Sequence, residues 1–184
     1  MAEVGTEMVN PVTEERFVWR HTAGSTSGEF AEVDLFLGER AKVDKHVHPG
    51  QREDFRIEKG SIELSVEGEK RTLAEGDEDS VPPGIAHSWR SSGVGETHVV
   101  IRFTPALRTE DFFETYCGLA RDGKANAKGV PRNLLQAAVL FHEFRAEIAP
   151  PPPAARALTP LIALLARIGA RRGLQPRYPQ YGTD

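Results

Sequence analysis

From Arg16 to Phe103 apolar residues return at every second position, and after Pro105 the interval lengthens to three or four. A period of two is that of a strand with one buried face, and a period near 3.6 is that of a helix. Val33, Leu35 and Leu37 share one face while Glu32 and Asp34 take the other. Ile62, Leu64 and Val66 alternate with Glu63 and Ser65 before a Glu67-Gly68-Glu69 turn, and Val99, Ile101 and Phe103 repeat the pattern. Many short strands with no helix signal between them predict an antiparallel sandwich or barrel. The expected division is a β domain over residues 1–105 and a helical extension over 106–184, packed on the barrel or on a second subunit.

The extension reads as three helices. Thr109 can cap the first, which carries Glu110 and Asp111 in its first turn and an apolar stripe of Phe112, Phe113, Tyr116 and Leu119 before Gly123 stops it. Pro131 suits the first position of the second helix, whose stripe of Leu134, Ala137, Phe141, Phe144 and Ile148 runs to about Ile148. Pro150 to Pro153 form a stiff extended spacer. The third helix is expected to start at Thr159-Pro160, to bury Leu161, Leu164, Leu165 and Ile168, and to end near Gly173 with Arg167, Arg171 and Arg172 at its negative pole.

Composition narrows the function classes. With 39% hydrophobic and 27% charged residues the chain reads as an ordinary soluble protein. The first residues carry Glu3 and Glu7 and no apolar core of a secretory signal, so a cytoplasmic location is expected. The apolar stretch of the third helix falls short of the roughly 20 residues a bilayer requires, and Arg156 and Arg167 interrupt it, so no membrane partner is expected. Residues 1–104 carry 12 basic and 20 acidic side chains, a balance of −8, and residues 105–184 carry 11 and 7, a balance of +4. A negative first part and scattered basic residues in the second argue against nucleic acid. The single cysteine, Cys117, has no partner for a disulfide and reads as packing.

The chemistry-bearing run is His46-Val47-His48-Pro49-Gly50-Gln51-Arg52-Glu53, followed by Gly60 and then by Gly76, Pro82, Gly84 and His87. Alternate strand residues share a face, so His46 and His48 fall together, as do Glu53, Phe55 and Ile57. The Pro82-Pro83-Gly84 turn can aim His87 at the same point. Neutral imidazoles and a carboxylate suit Fe(II), Mn(II), Ni(II), Cu(II) or Zn(II). A His-x-His pair alone is a weak signal, and the frame around this one is what gives it weight. Phe55 and Trp89 share strand parity with Glu53 and His87 and can wall a pocket, and Gln51, between the ligands, can hydrogen-bond a substrate. Barrel core is the plainer reading for Phe55.

The spacing His-x-His-x4-Glu-x6-Gly, then Gly-x5-Pro-x-Gly-x2-His, resembles the two signature motifs of the cupin superfamily. Two positions depart from them: Arg40 stands where the first motif usually opens with Gly, and Ser91 where the second usually closes with Asn. The segment from Gly118 to Lys124 and the closing run from Arg177 to Tyr181 are also similar to bacterial single-domain cupins. The resemblance implies a small antiparallel β-barrel of jelly-roll type holding one divalent transition metal (Fe, Mn, Ni, Cu or Zn) on His46, His48, Glu53 and His87. It implies dioxygenase-like or isomerase-like chemistry on a small organic molecule, with Glu53 also the candidate to move a proton. The alternative is a non-catalytic cupin that binds or senses a small molecule. Apolar stripes on three helices call for a partner surface, and a homodimer is expected.

Overall fold

The computed structural model describes residues 2–182, apart from the side chains of residues 154–156, so Arg156 as a break in the apolar stretch lies outside the described residues. The strands are β1 (Glu7–Asn10), β2 (Glu15–His21), β3 (Ala31–Leu37), β4 (Lys42–His46), β5 (Arg52–Lys59), β6 (Ser61–Val66), β7 (Glu69–Ala74), β8 (Glu78–Val81), β9 (His87–Ser91) and β10 (Thr97–Thr104). Three helices follow: α1 (Thr109–Arg121), α2 (Leu134–Glu143) and α3 (Ala154–Arg171). The strands form a six-stranded sheet in the order β1-β2-β3-β10-β5-β8 and a four-stranded sheet in the order β4-β9-β6-β7. Adjacent strands pair antiparallel in both. The architecture is a jelly roll of two facing sheets that hydrogen bonds do not close into one barrel.

Alternation builds the interior. Phe17 and Trp19 of β2, Val33, Leu35 and Leu37 of β3, Phe55 and Ile57 of β5, Ile62 and Leu64 of β6, and Val99, Ile101 and Phe103 of β10 share one buried cluster. The chain passes from β5 to β6, and so from one sheet to the other, at Gly60, whose φ is +78°. A Cβ there would stand 2.7 Å from Thr97 Oγ1 and 3.2 Å from Thr97 Cα, so both conformation and space require glycine. Cys117 is buried in the same cluster, and burial pushes its thiol up.

Helix boundaries differ from the sequence reading in ways that local chemistry explains. Arg108, not Thr109, holds the cap position of α1, with no side-chain cap bond. Thr109 is the first helical residue, and its hydroxyl donates 2.7 Å to the Ala106 carbonyl. The second helix starts at Leu134 because Asn133 Oδ1 accepts from the amides of Leu135 (2.9 Å) and Gln136 (3.3 Å), while Pro131 lies in a bridge with Ala125. It stops at Glu143, short of Ile148. The third helix begins at Ala154 and carries Pro160 within it. Its buried face is Ala166 with the half-buried Ile162 and Leu165, against Ala138 and Val139 of α2. Gly169 allows the close approach, since a Cβ there would meet Val139 Cγ2 at 2.7 Å. Leu161 and Leu164, expected to be buried, are 50% and 55% exposed. Among the described residues no helix is long and apolar enough to cross a membrane.

Candidate metal centre

His46 ends β4, and His87 opens β9 directly opposite it in the ladder. Glu53, the second residue of β5, comes from the other sheet and pairs with Phe103 and Val81. His48 lies in the connection between β4 and β5, and its carbonyl accepts from Gly84 N at 2.9 Å. That bond ties the Pro82-Pro83-Gly84 turn, and so the start of β9, to the first motif. A register shift between Val43 and His46 locally breaks strict alternation.

All four side chains are buried, and one donor atom of each lies within 4.8 Å of the others. His46 Nε2 is 3.1 Å from His48 Nε2, His48 Nε2 is 3.2 Å from Glu53 Oε2, and His87 Nε2 is 2.7 Å from Glu53 Oε2. The outward nitrogens each meet a backbone carbonyl: His46 Nδ1 that of Asp44 (2.9 Å), His87 Nδ1 that of Ile85 (3.0 Å), and His48 Nδ1 that of Glu147. A carbonyl only accepts, so each Nδ1 carries the hydrogen. Each Nε2 is left with its lone pair directed inward. Two such lone pairs facing each other at 3.1 Å repel unless a cation stands near them.

Burial holds His46 near a pKa of about 3, with His48 and His87 adding to the effect. For Glu53 burial acts upward, but the charge and hydrogen bonds of His48 and His87 outweigh it and hold the carboxyl well below the usual range. Burial acts downward on His87, and Glu53 overcomes it and raises the imidazole. His87 Nε2 and Glu53 Oε2 face each other across a place that a metal ion would take.

The other expected site residues fall around this cluster. Phe55 is core and also presents its ring to His87, with centroids 6.5 Å apart. Trp89 lies in the core opposite Val43 and Leu64. Gln51 is buried, and its Nε2 donates to the carbonyls of Pro105 (2.9 Å) and Ala106 (3.0 Å) and reaches Thr109 Oγ1 (2.8 Å), so it anchors the start of α1. Only its Oε1 stands without a hydrogen-bond partner. The sequence reading missed Phe103, whose ring is 5.5 Å from that of His48, and Glu147. The strand alternation ending at Phe103 could have found the first. Two surface clefts of about 510 and 460 Å³ lie elsewhere, and none of the four polar residues lines either.

Residues 36–102 match the family model described as the cupin domain. The structure superposes on KdgF from Halomonas sp. with a TM-score of 0.51 at 18% identity, covering 57% of this chain and 93% of that one. It superposes on an RmlC-like cupin from Shewanella frigidimarina with a TM-score of 0.51 at 17% identity, covering 60% and 92%. Residues 36–102 thus form a cupin domain.

Among curated proteins, this chain is 32% identical over 68 residues to quercetin 2,3-dioxygenase of Bacillus subtilis, covering 36% of this chain and 20% of that protein. It is 25% identical over 155 residues to an oxidoreductase of Arthrobotrys oligospora, covering 78% and 60%. The chain therefore spans less than two thirds of the length of these relatives.

Proposed function

We propose that this protein binds one divalent transition-metal ion through His46, His48, Glu53 and His87 and is a metal-dependent oxidoreductase acting on a small organic molecule. The convergence of three Nε2 lone pairs and one carboxylate oxygen, with every Nδ1 tied to a carbonyl, is the observation that carries the reading. The donor set fits Fe, Mn, Ni, Cu or Zn, all of which accept mixed nitrogen and oxygen ligands. When bound, such an ion supplies a Lewis-acidic or redox centre with coordination positions left open by the four protein ligands. Similarity to a quercetin dioxygenase and to an oxidoreductase favours oxidation over isomerisation.

The surrounding residues take distinct parts in this proposal. Glu53 would supply the one negative charge among the four ligands and offset half the charge of a divalent ion. Phe55 and Phe103 exclude water from the histidine rings and Trp89 fills the wall behind them, so charge interactions there are stronger than in solvent. Gln51 offers substrate only Oε1, since its nitrogen belongs to the α1 junction. Elemental analysis of protein purified without nickel resin, alongside Glu53→Ala, tests the site. Metal that stays stoichiometric in the variant, or a wild type that takes up none of the five ions, overturns it. Oxygen uptake with flavonols and catechols tests the reaction. Tight small-molecule binding without turnover, aerobic or anaerobic, would instead assign a binding or sensing role.

A further inference from the structure

After α2 the chain turns back at Phe144 and runs antiparallel to the metal-motif connection. Val47 N donates to the Ala149 carbonyl and Ala149 N to the Val47 carbonyl, both at 3.0 Å, and Gly50 N donates to the Ala146 carbonyl at 2.9 Å. Gly50 permits this approach, because a Cβ would stand 3.1 Å from Leu107 Cδ1 and 3.2 Å from the Ala146 oxygen. Between these bonds, the Glu147 carbonyl accepts from His48 Nδ1. The strap is fastened at both ends of its turn. Phe144 is fully buried beside Phe112, Leu140 and Ile148, and Glu147 Oε1 accepts from Arg108 N at 3.1 Å.

The three histidines are therefore not held alike. His46 and His87 bond to carbonyls two residues away in their own segments. His48 depends on a carbonyl 99 residues away, in the helical extension. The partner that fixes a ligand's tautomer and ring orientation commonly changes metal affinity by about 10–100-fold.

We propose that the strap at residues 146–149 is a working part of the metal centre, with Glu147 the positioning residue that sets the tautomer and aim of His48. The inference rests on the reading of His48 as a ligand. Docking of the extension and metal affinity are then coupled, and by linkage each strengthens the other.

The test uses the full chain with Ala149→Pro, which removes the N–H bonded to Val47. Cobalt(II) is the probe, its affinity measured by chelator competition. The expected result is a loss of about 10–100-fold, with no further loss when Ala149→Pro is placed on His48→Ala. Affinity unchanged in Ala149→Pro, or the same loss on both backgrounds, overturns the proposal. Nitrogen-15 spectra of the imidazoles in the metal-free protein give a reading independent of metal. Wild type should show His48 as the Nδ1–H tautomer with a slowly exchanging proton, and Ala149→Pro should show mixed tautomers. An Nε2–H tautomer for His48 in wild type overturns the proposal even where the variant fails to fold. A wild type that binds no cobalt while His48 keeps the Nδ1–H form sinks the metal reading and leaves the strap's role standing.

Discussion

Glu53 Oε2 stands 2.7 Å from His87 Nε2, and the two residues belong to different sheets. The contact spans the inside of the jelly roll, so removing the carboxylate both strips the centre of its anion and loosens its two halves. Glu53→Gln keeps the shape and deletes the charge. We expect it to fold and to bind metal more weakly than wild type by over about 100-fold, beyond the range of outer partners; isothermal titration with cobalt or zinc reads this.

Metal should also stabilise the fold. An ion at a hundredfold excess over its Kd adds about 2.7 kcal/mol to the folded state. Melting temperature should rise with added metal and fall with chelator, and Glu53→Gln should respond far less to both at the same metal concentration. A wild-type melting curve indifferent to all five candidate ions contradicts the site.

Glu15 predicts a pH effect of definite sign. Its carboxyl is buried where β2 meets α1, beside Thr13 and 3.4 Å from the Tyr116 hydroxyl. Burial raises its pKa to about 7, more than those two hydrogen bonds lower it. Between the ordinary value of 4.5 and about 7 the folded chain holds a proton that the unfolded chain has lost. Stability from this group is thus complete below pH 4.5 and is lost as pH rises through 7, amounting to about 3 kcal/mol. Glu15→Gln should flatten that slope, measured as urea midpoints across this window. An unchanged slope would assign the carboxyl a lower pKa.

Gly60→Ala should destabilise by more than about 1 kcal/mol, because the new Cβ meets Thr97 and the left-handed backbone disfavours it. Guanidinium unfolding checks it, and Gly68→Ala is a useful comparison. Gly68 also has a positive φ but its Cβ would meet nothing within 4 Å, so strain without collision should cost less.

Phe144→Ala should cost about 3–5 kcal/mol, since the ring is fully buried among Phe112 and Leu140. The same variant should speed hydrogen exchange at the Val47 and Ala149 amides more than at the Gly84 amide, which bonds to the His48 carbonyl and not to the strap. Equal acceleration at all three would mean that the strap does not open as a unit.

The alternation of apolar residues made the β sandwich legible, because a buried face imposes its period on every strand crossing the core. The spacing of His46, His48, Glu53 and His87 was legible for a related reason: their side chains carry the donors. Helix 3 was misread because its leucines outnumber the places available, and packing on α2 selected Ala166 and Gly169 over Leu161 and Leu164. Asn133 was passed over for Pro131, although both are good start residues, because only the folded loop decides which amides need capping. Glu147 left no sequence signal at all. Its contact to His48 is made by a backbone carbonyl, which any residue would supply.

His48 joins three distant pieces of chain: its carbonyl takes the Gly84 amide, its ring takes the Glu147 carbonyl, and Nε2 faces Glu53. A cut at Pro105, where the strands end and the helices begin, would retain all ten strands and all four polar side chains yet remove the acceptor for one ring. The smallest piece of this chain that could be grafted elsewhere with its centre intact therefore ends after Ala149.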